Sequence, residues 1–133
     1  MAPMKRPSHA MSRVAGAAVL LLALVAAVRP AVLSQASGGL WEVSGVPGSP
    51  PRRICLADPS VLAQFEHRKA HCTRSVIRDQ RTTAEIHYSC SGGGFGQSTV
   101  SSLTPRALRI ETQGISGDAP FHYVLQARRV GDC

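Results

Sequence analysis

The chain has 133 residues, enough for one domain of ordinary size and too few for two. Fifteen Lys and Arg against eight Asp and Glu give a formal net charge of +7 and a pI near 10.1, values that would suit a nucleic-acid binder. The distribution speaks against that. Lys5, Arg6, Arg13 and Arg29 lie in the first 36 positions, where there is no acid, so the remainder has eleven bases against eight acids, or +3.

Residues 1–13 are basic, and 14–28 (VAGAAVLLLALVAAV) form an unbroken run of apolar and small residues. A basic n-region followed by such an h-region matches a secretory signal and is shorter than the roughly 20 residues that span a bilayer. A signal peptide over residues 1–36 is therefore expected. Ser34-Gln35-Ala36 offers small residues at the positions a signal peptidase reads, with cleavage after Ala36. Ala27 is a second candidate site, and an uncleaved anchor helix is the alternative. The expected location is the periplasm or the exterior, with the membrane met only through the export signal. Cys55, Cys72, Cys90 and Cys133 all lie in the remaining domain, 37–133, and an even cysteine count in a short exported chain predicts two disulfides.

Residues 40–44 alternate, with Trp41 and Val43 on one face, and predict a first strand. Residues 45–51 (GVPGSPP) read as a loop and 52–56 as a second strand. Asp58-Pro59 has the form of a helix start, Asp as N-cap and Pro at the first helical position. Val61, Leu62 and Phe65 continue at helical spacing, and His67, Arg68, Lys69 and His71 gather towards the end of a helix of about 12 residues. Residues 72–90 fold on paper as a hairpin with its turn at 79–83. That register sets Arg78 opposite Ala84, Val76 opposite Ile86, Arg74 opposite Tyr88 and Cys72 opposite Cys90. A loop over 91–96 (SGGGFG), a strand over 97–103, a turn at 104–106, a strand over 108–112, a turn region over 113–120 and a last strand over 121–129 complete the chain.

The pattern predicts a mainly β protein: a single antiparallel sheet of about seven short strands, curled or barrel-like, with one short helix, stapled by disulfides and preceded by a signal helix. Strand directions pair Cys72 with Cys90 and Cys55 with Cys133. The alternative, Cys55 with Cys72 and Cys90 with Cys133, requires a different helix path.

GLWEVS at 39–44, CLADP at 55–59, the two inner cysteines and ARRVGDC at 127–133 together resemble the bacterial family known as domain of unknown function 3617. The resemblance covers nearly all of the chain after the leader, although the segment between Trp41 and Cys55 is short for that family. It implies a small exported protein of Gram-negative bacteria and brings no established activity and no site residues.

Candidate chemistry is sparse. His67 and His71, four apart on one helix face with Glu66 alongside and His87 or His122 near, would suit a metal, but such pairs are more often solvated histidines at a helix end. SGGGFG lacks the Lys-Ser or Lys-Thr and the helix start of a phosphate cradle. The serines of 98–102 have no partnered base. No catalytic residue and no cofactor is expected. Arg74 shares the inward face with Val76, Ile86 and Tyr88, so it either reaches solvent over Tyr88 or meets an anion. The expected function is a non-enzymatic periplasmic or secreted binding or accessory module of the cell envelope, with Arg74, Arg78, Tyr88 and Trp41 lining a groove for an anionic or acyl ligand and no nucleic-acid partner. A metal-dependent protein or enzyme using His67 and His71 is the alternative.

Overall fold

Alternating side chains commit most of the chain after residue 38 to strands, because a pleated strand alone presents every second residue to one face. The computed structural model describes residues 2–5 and 29–133, so the expected signal helix lies outside the described residues. Seven strands follow: β1 (Gly39–Ser44), β2 (Arg52–Leu56), β3 (Cys72–Asp79), β4 (Thr83–Cys90), β5 (Phe95–Thr104), β6 (Ala107–Ser116) and β7 (Ala119–Gly131). They form one antiparallel sheet, as the sequence predicts, and its order is β2-β1-β7-β6-β5-β4-β3.

One face of this sheet is sealed. Trp41, Val43, Ala84, Ile86, Val100, Leu108, Ile110, Leu125 and Ala127 all point to it and all are buried, while their strand neighbours point to solvent. β2 and β3 are consecutive in the chain yet occupy opposite edges, so the segment between them has to cross the sealed face from one side to the other. It does so as a 3₁₀ helix, Pro59–His67, which buries Leu62, Ala63 and Phe65.

The start of that helix is as expected: the Asp58 side chain accepts from the Ser60 N–H at 2.9 Å and Pro59 opens the first turn. Its type and its end are not. An α-helix of about 12 residues through His71 is replaced by a tighter, shorter one, kinked at Gln64 (φ −127°, ψ 38°). The reason is competition for its carbonyls. The Ser60 carbonyl accepts from Arg74 at 2.7 Å, that of Ala63 from Ser98 at 2.6 Å, that of Phe65 from Arg68, and that of His67 from Gln64. Side-chain donors at these carbonyls compete with the i to i+4 ladder, and the Phe65 and His67 carbonyls accept backbone bonds from Arg68 and Ala70, only three residues on.

A second short helix, α1 (Ala31–Ser34), lies in the stretch read as leader. Val32 and Leu33 are fully buried and Ala36 nearly so. The Ala31 N–H donates to Asp79 at 3.1 Å, the Gln35 amide donates to the Arg81 carbonyl at 3.1 Å, and Arg29 pairs with Asp58 at 3.0 Å. The folded unit thus includes residues upstream of Ser37, with Val32 and Leu33 each contributing about 1.5–3 kcal/mol of burial.

Both disulfides pair as the strand directions predict, Cys72 with Cys90 and Cys55 with Cys133. The β3–β4 register also follows the expected one through Cys72↔Cys90, Arg74↔Tyr88 and Val76↔Ile86. Beyond Val76 it shifts by a bulge, so Arg78 faces Glu85 and Asp79 faces Ala84, instead of Arg78 facing Ala84. The extra residue in β3 shortens the turn to residues 80–82, which a Gln80 N–H to Thr83 carbonyl bond of 2.8 Å closes.

Strands β5 to β7 run further than the sequence suggests. The expected turn over 113–120 contracts to Gly117 and Asp118, both at positive φ (56° and 63°), a two-residue hairpin loop. Gly114 therefore lies inside β6, where a Cβ would collide with the Phe95 carbonyl. Pro120 lies inside β7, paired on one side only with Ile115, so its missing N–H costs no ladder bond.

Each disulfide ties down one sheet edge, but they close loops of different length, 78 and 18 residues. Chain-entropy scaling gives about 4.5 kcal/mol for the longer and about 3 kcal/mol for the shorter. Urea unfolding should therefore rank the double variant Cys55→Ser/Cys133→Ser below Cys72→Ser/Cys90→Ser in stability, and the reverse order would show that edge strand β3 depends on its crosslink more than the chain as a whole does.

Candidate functional site

The four residues expected to line one groove are separated by the fold. Trp41 is fully buried in the core, its indole N–H donating to the Ser37 carbonyl at 3.1 Å. Tyr88 is buried on β4. Arg74 is exposed on edge strand β3, but its guanidinium turns inward to the Ser60 carbonyl and lines a hollow of about 350 Å³ together with Arg29 and Asp58. Burial pushes the Asp58 carboxyl up, but the bonds from Ser60 and the charges of Arg29 and Arg74 outweigh it and hold the carboxyl below its usual range. Arg78 is exposed beyond the bulge and lines neither this hollow nor the larger groove below.

His67 and His71 do not share a helix face. The helix ends at His67, and His71 lies exposed beyond it, just before β3. His67 belongs instead to an aromatic and polar cluster under one end of the sheet. Its Nδ1 is 3.0 Å from the Tyr88 hydroxyl, and its ring meets those of Tyr88 and Phe121 edge-on. Tyr123 donates to Glu66 at 2.6 Å, and the buried hydroxyls of Ser98 and Thr112 lie 2.9 Å apart. Burial, reinforced by the Glu66 charge, pushes the Tyr88 phenol up to about 12. Burial and the hydrogen bond to Glu66 raise Tyr123 further. Among the described residues, no group of three His, Cys, Asp or Glu converges in a way that could hold a metal.

The larger hollow is on the opposite face. A groove of about 960 Å³ runs across five consecutive strands, each contributing two outward-facing residues. One cross-strand row is Ser75, His87, Gln97, Gln113 and His122; the next is Thr73, Ser89, Phe95, Ile115 and Pro120. Between the rows, the inward-facing set Tyr88, Gly96, Gly114 and Phe121 brings two glycines side by side, and the rings of Tyr88 and Phe121 cover on the sealed face the space their side chains would fill. The lining contains no Lys, Arg, Asp or Glu. Beside it, in the adjacent row of the same outer face, Glu85 is 3.0 Å from His87 Nε2 and accepts from the Gln97 amide at 2.8 Å, and Glu111 is 3.3 Å from His122 Nε2. Phe95 is 51% exposed, a large apolar side chain left open to solvent.

With Arg74, Val76, Ile86 and Tyr88 inward, alternation leaves Thr73, Ser75, Glu85, His87 and Ser89 on the outer face, but this does not assemble the groove. Phe95 falls in the expected loop over 91–96, and Gln113, Ile115 and Pro120 in the expected turn over 113–120. An uncharged outward row becomes visible only when strand lengths and the β5–β6–β7 register are known.

The model of a family described as protein of unknown function (DUF3617) matches residues 29–133. No curated protein matches the chain, and no solved structure does.

The phenol shifts have a consequence for alkaline stability. The chain has two tyrosines, Tyr88 and Tyr123, both raised above the ordinary value of 10 in the fold. The unfolded chain therefore releases these protons first, so their contribution is complete below pH 10 and is lost as the pH rises from 10 towards 12. Tyrosinate absorbance should stay absent as the folded protein passes pH 10 and appear only towards 12 or together with loss of the fold; either tyrosine half-titrating near 10 in the folded protein would contradict this environment.

Proposed function

From the premise that the chain belongs to the DUF3617 family, we propose that the protein is a non-enzymatic binding or accessory module of the cell envelope, exported to the periplasm or beyond. The observation that carries this reading is the groove of about 960 Å³ on the outer sheet face, at the upper end of the volumes that enclose small-molecule ligands. Two disulfides support folding in an oxidising compartment.

Binding is favoured over catalysis by the layout of the titratable groups. His87 and His122, the imidazoles of the groove, are three strand steps apart, roughly 14 Å, too far to act together on one bond. Each is already engaged by a glutamate. The phenols of Tyr88 and Tyr123 are buried and held neutral.

Export also bears on where the leader ends. Cleavage after Ala36 would remove Val32 and Leu33 from the core, whereas cleavage after Ala27 leaves every residue of α1 in place. Sequencing the N-terminus of the exported protein should give a start at Val28; a start at Ser37 would mean that α1 is dispensable after translocation.

Native mass spectrometry of protein purified from the envelope of its own cell tests the binding reading. A non-covalent adduct is expected, lost in Gln113→Trp, which fills the groove from an exposed position without touching the core. Protein that carries no adduct, or an adduct indifferent to Gln113→Trp, would count against the groove as the binding site.

A further inference from the structure

The chemistry of the groove restricts what it can hold. A chain with fifteen Lys and Arg presents none of them there, and none of its eight acids either. An anionic headgroup would find no counter-charge, and desolvating it against neutral walls is costly. A purely acyl ligand would leave the row from Ser75 to His122 dehydrated and unpaired over its whole length.

The glutamates beside the groove, on the same sheet face, bias what that row offers. A carboxylate only accepts, so His87 and His122 carry a proton on Nε2, facing Glu85 and Glu111, and in the neutral imidazole Nδ1 of each is left as an acceptor. The Gln97 amide donates to Glu85, which leaves its carbonyl oxygen as an acceptor. The row is thus biased towards accepting hydrogen bonds from a ligand rich in donors. Alongside it Phe95, Ile115 and Pro120 form an apolar strip, with the Phe95 ring half open to solvent. From β3 to β7 the two rows extend over four strand steps, roughly 19 Å.

We propose that the groove binds an uncharged oligosaccharide, its hydroxyls donating to His87, Gln97, Gln113 and His122 while the apolar face of a sugar ring lies on Phe95. A short glycan is neutral, donor-rich on its edges and apolar on its ring faces, and it is long enough to cross several strands. This rests on the binding-module reading above and specifies its ligand class. Glu85 and Glu111 act as positioning residues, fixing the tautomers that make the row accept.

The test uses the purified protein with both disulfides formed. An array of uncharged oligosaccharides identifies a binder, which is then titrated while backbone amide resonances are followed, in parallel with phosphatidylcholine vesicles, phosphatidylglycerol vesicles and an extended neutral peptide. The expected result is that an uncharged oligosaccharide shifts the amides of Phe95, Gln97 and Gln113, and that Phe95→Ala and Gln113→Ala each weaken its binding tenfold or more at unchanged melting temperature. Glu85→Gln, which keeps the side chain but can donate to His87, should weaken binding severalfold through the His87 tautomer and the Gln97 amide that Glu85 also holds. If no oligosaccharide on the array binds while vesicles or peptide shift the same amides, the ligand class is overturned and the groove stands as a binding site. If no probe shifts those amides and no adduct accompanies the protein from its envelope, both readings fall. Oligosaccharide binding that is indifferent to Phe95→Ala and Gln113→Ala would overturn the site.

Discussion

Every other feature of this fold depends on one crossing. Because β2 and β3 are neighbours in sequence and lie at opposite edges of the sheet, residues 57–71 must traverse the whole sealed face. That traverse supplies the lid of the core through Leu62, Ala63 and Phe65. It is held by hydrogen bonds that the sheet reaches up to make, from Ser98 to the Ala63 carbonyl and from Arg74 to the Ser60 carbonyl. These bonds favour the 3₁₀ form over the α-helix and give buried polar side chains a partner that a wholly apolar core would not offer. The disulfides complement the crossing: one ties β3 to β4, the other ties β2 to the end of the chain, so the two edges that the crossing connects are also the two that are crosslinked.

The two faces of the sheet divide the work. The inner face is closed by the crossing segment and α1, and at one end it holds two polar pairs, His67 with Tyr88 and Tyr123 with Glu66, while His67 Nε2 is buried with no hydrogen-bond partner among the described residues. The outer face has no covering element among the described residues, and its uncharged rows are oriented from the flank by Glu85 and Glu111 on the same face. The same strands therefore produce a rigid floor and an open groove, since adjacent residues on a strand serve opposite faces. The paired glycines Gly96 and Gly114 let Tyr88 and Phe121 fold over the sheet from below, so that the floor of the groove is backed by aromatic rings.

Local patterning in the sequence determined the mainly β class, the first two strands, the cap at Asp58 and the register of the Cys72–Cys90 hairpin as far as Val76. Those features depend on alternation, capping and cross-strand matching between residues close in the chain. The pairing of Cys55 with Cys133 also followed, because strand directions alone distinguish the two edges. Tertiary structure decided the rest. Whether Arg74 would face an anion or a carbonyl depended on where the crossing helix lies, and the bulge after Val76 moved Arg78 away from it. Trp41, expected at a groove, went to the core because β1 is flanked by β2 and β7 and covered from above. The extension of β5, β6 and β7 through Phe95, Gln113 and Pro120 ran against their Gly and Pro content, since ladder bonds between long strands outweigh local turn preference. The groove itself is lined by fourteen residues scattered over five strands, and which of them become neighbours is a matter of register, a property no single stretch of sequence contains.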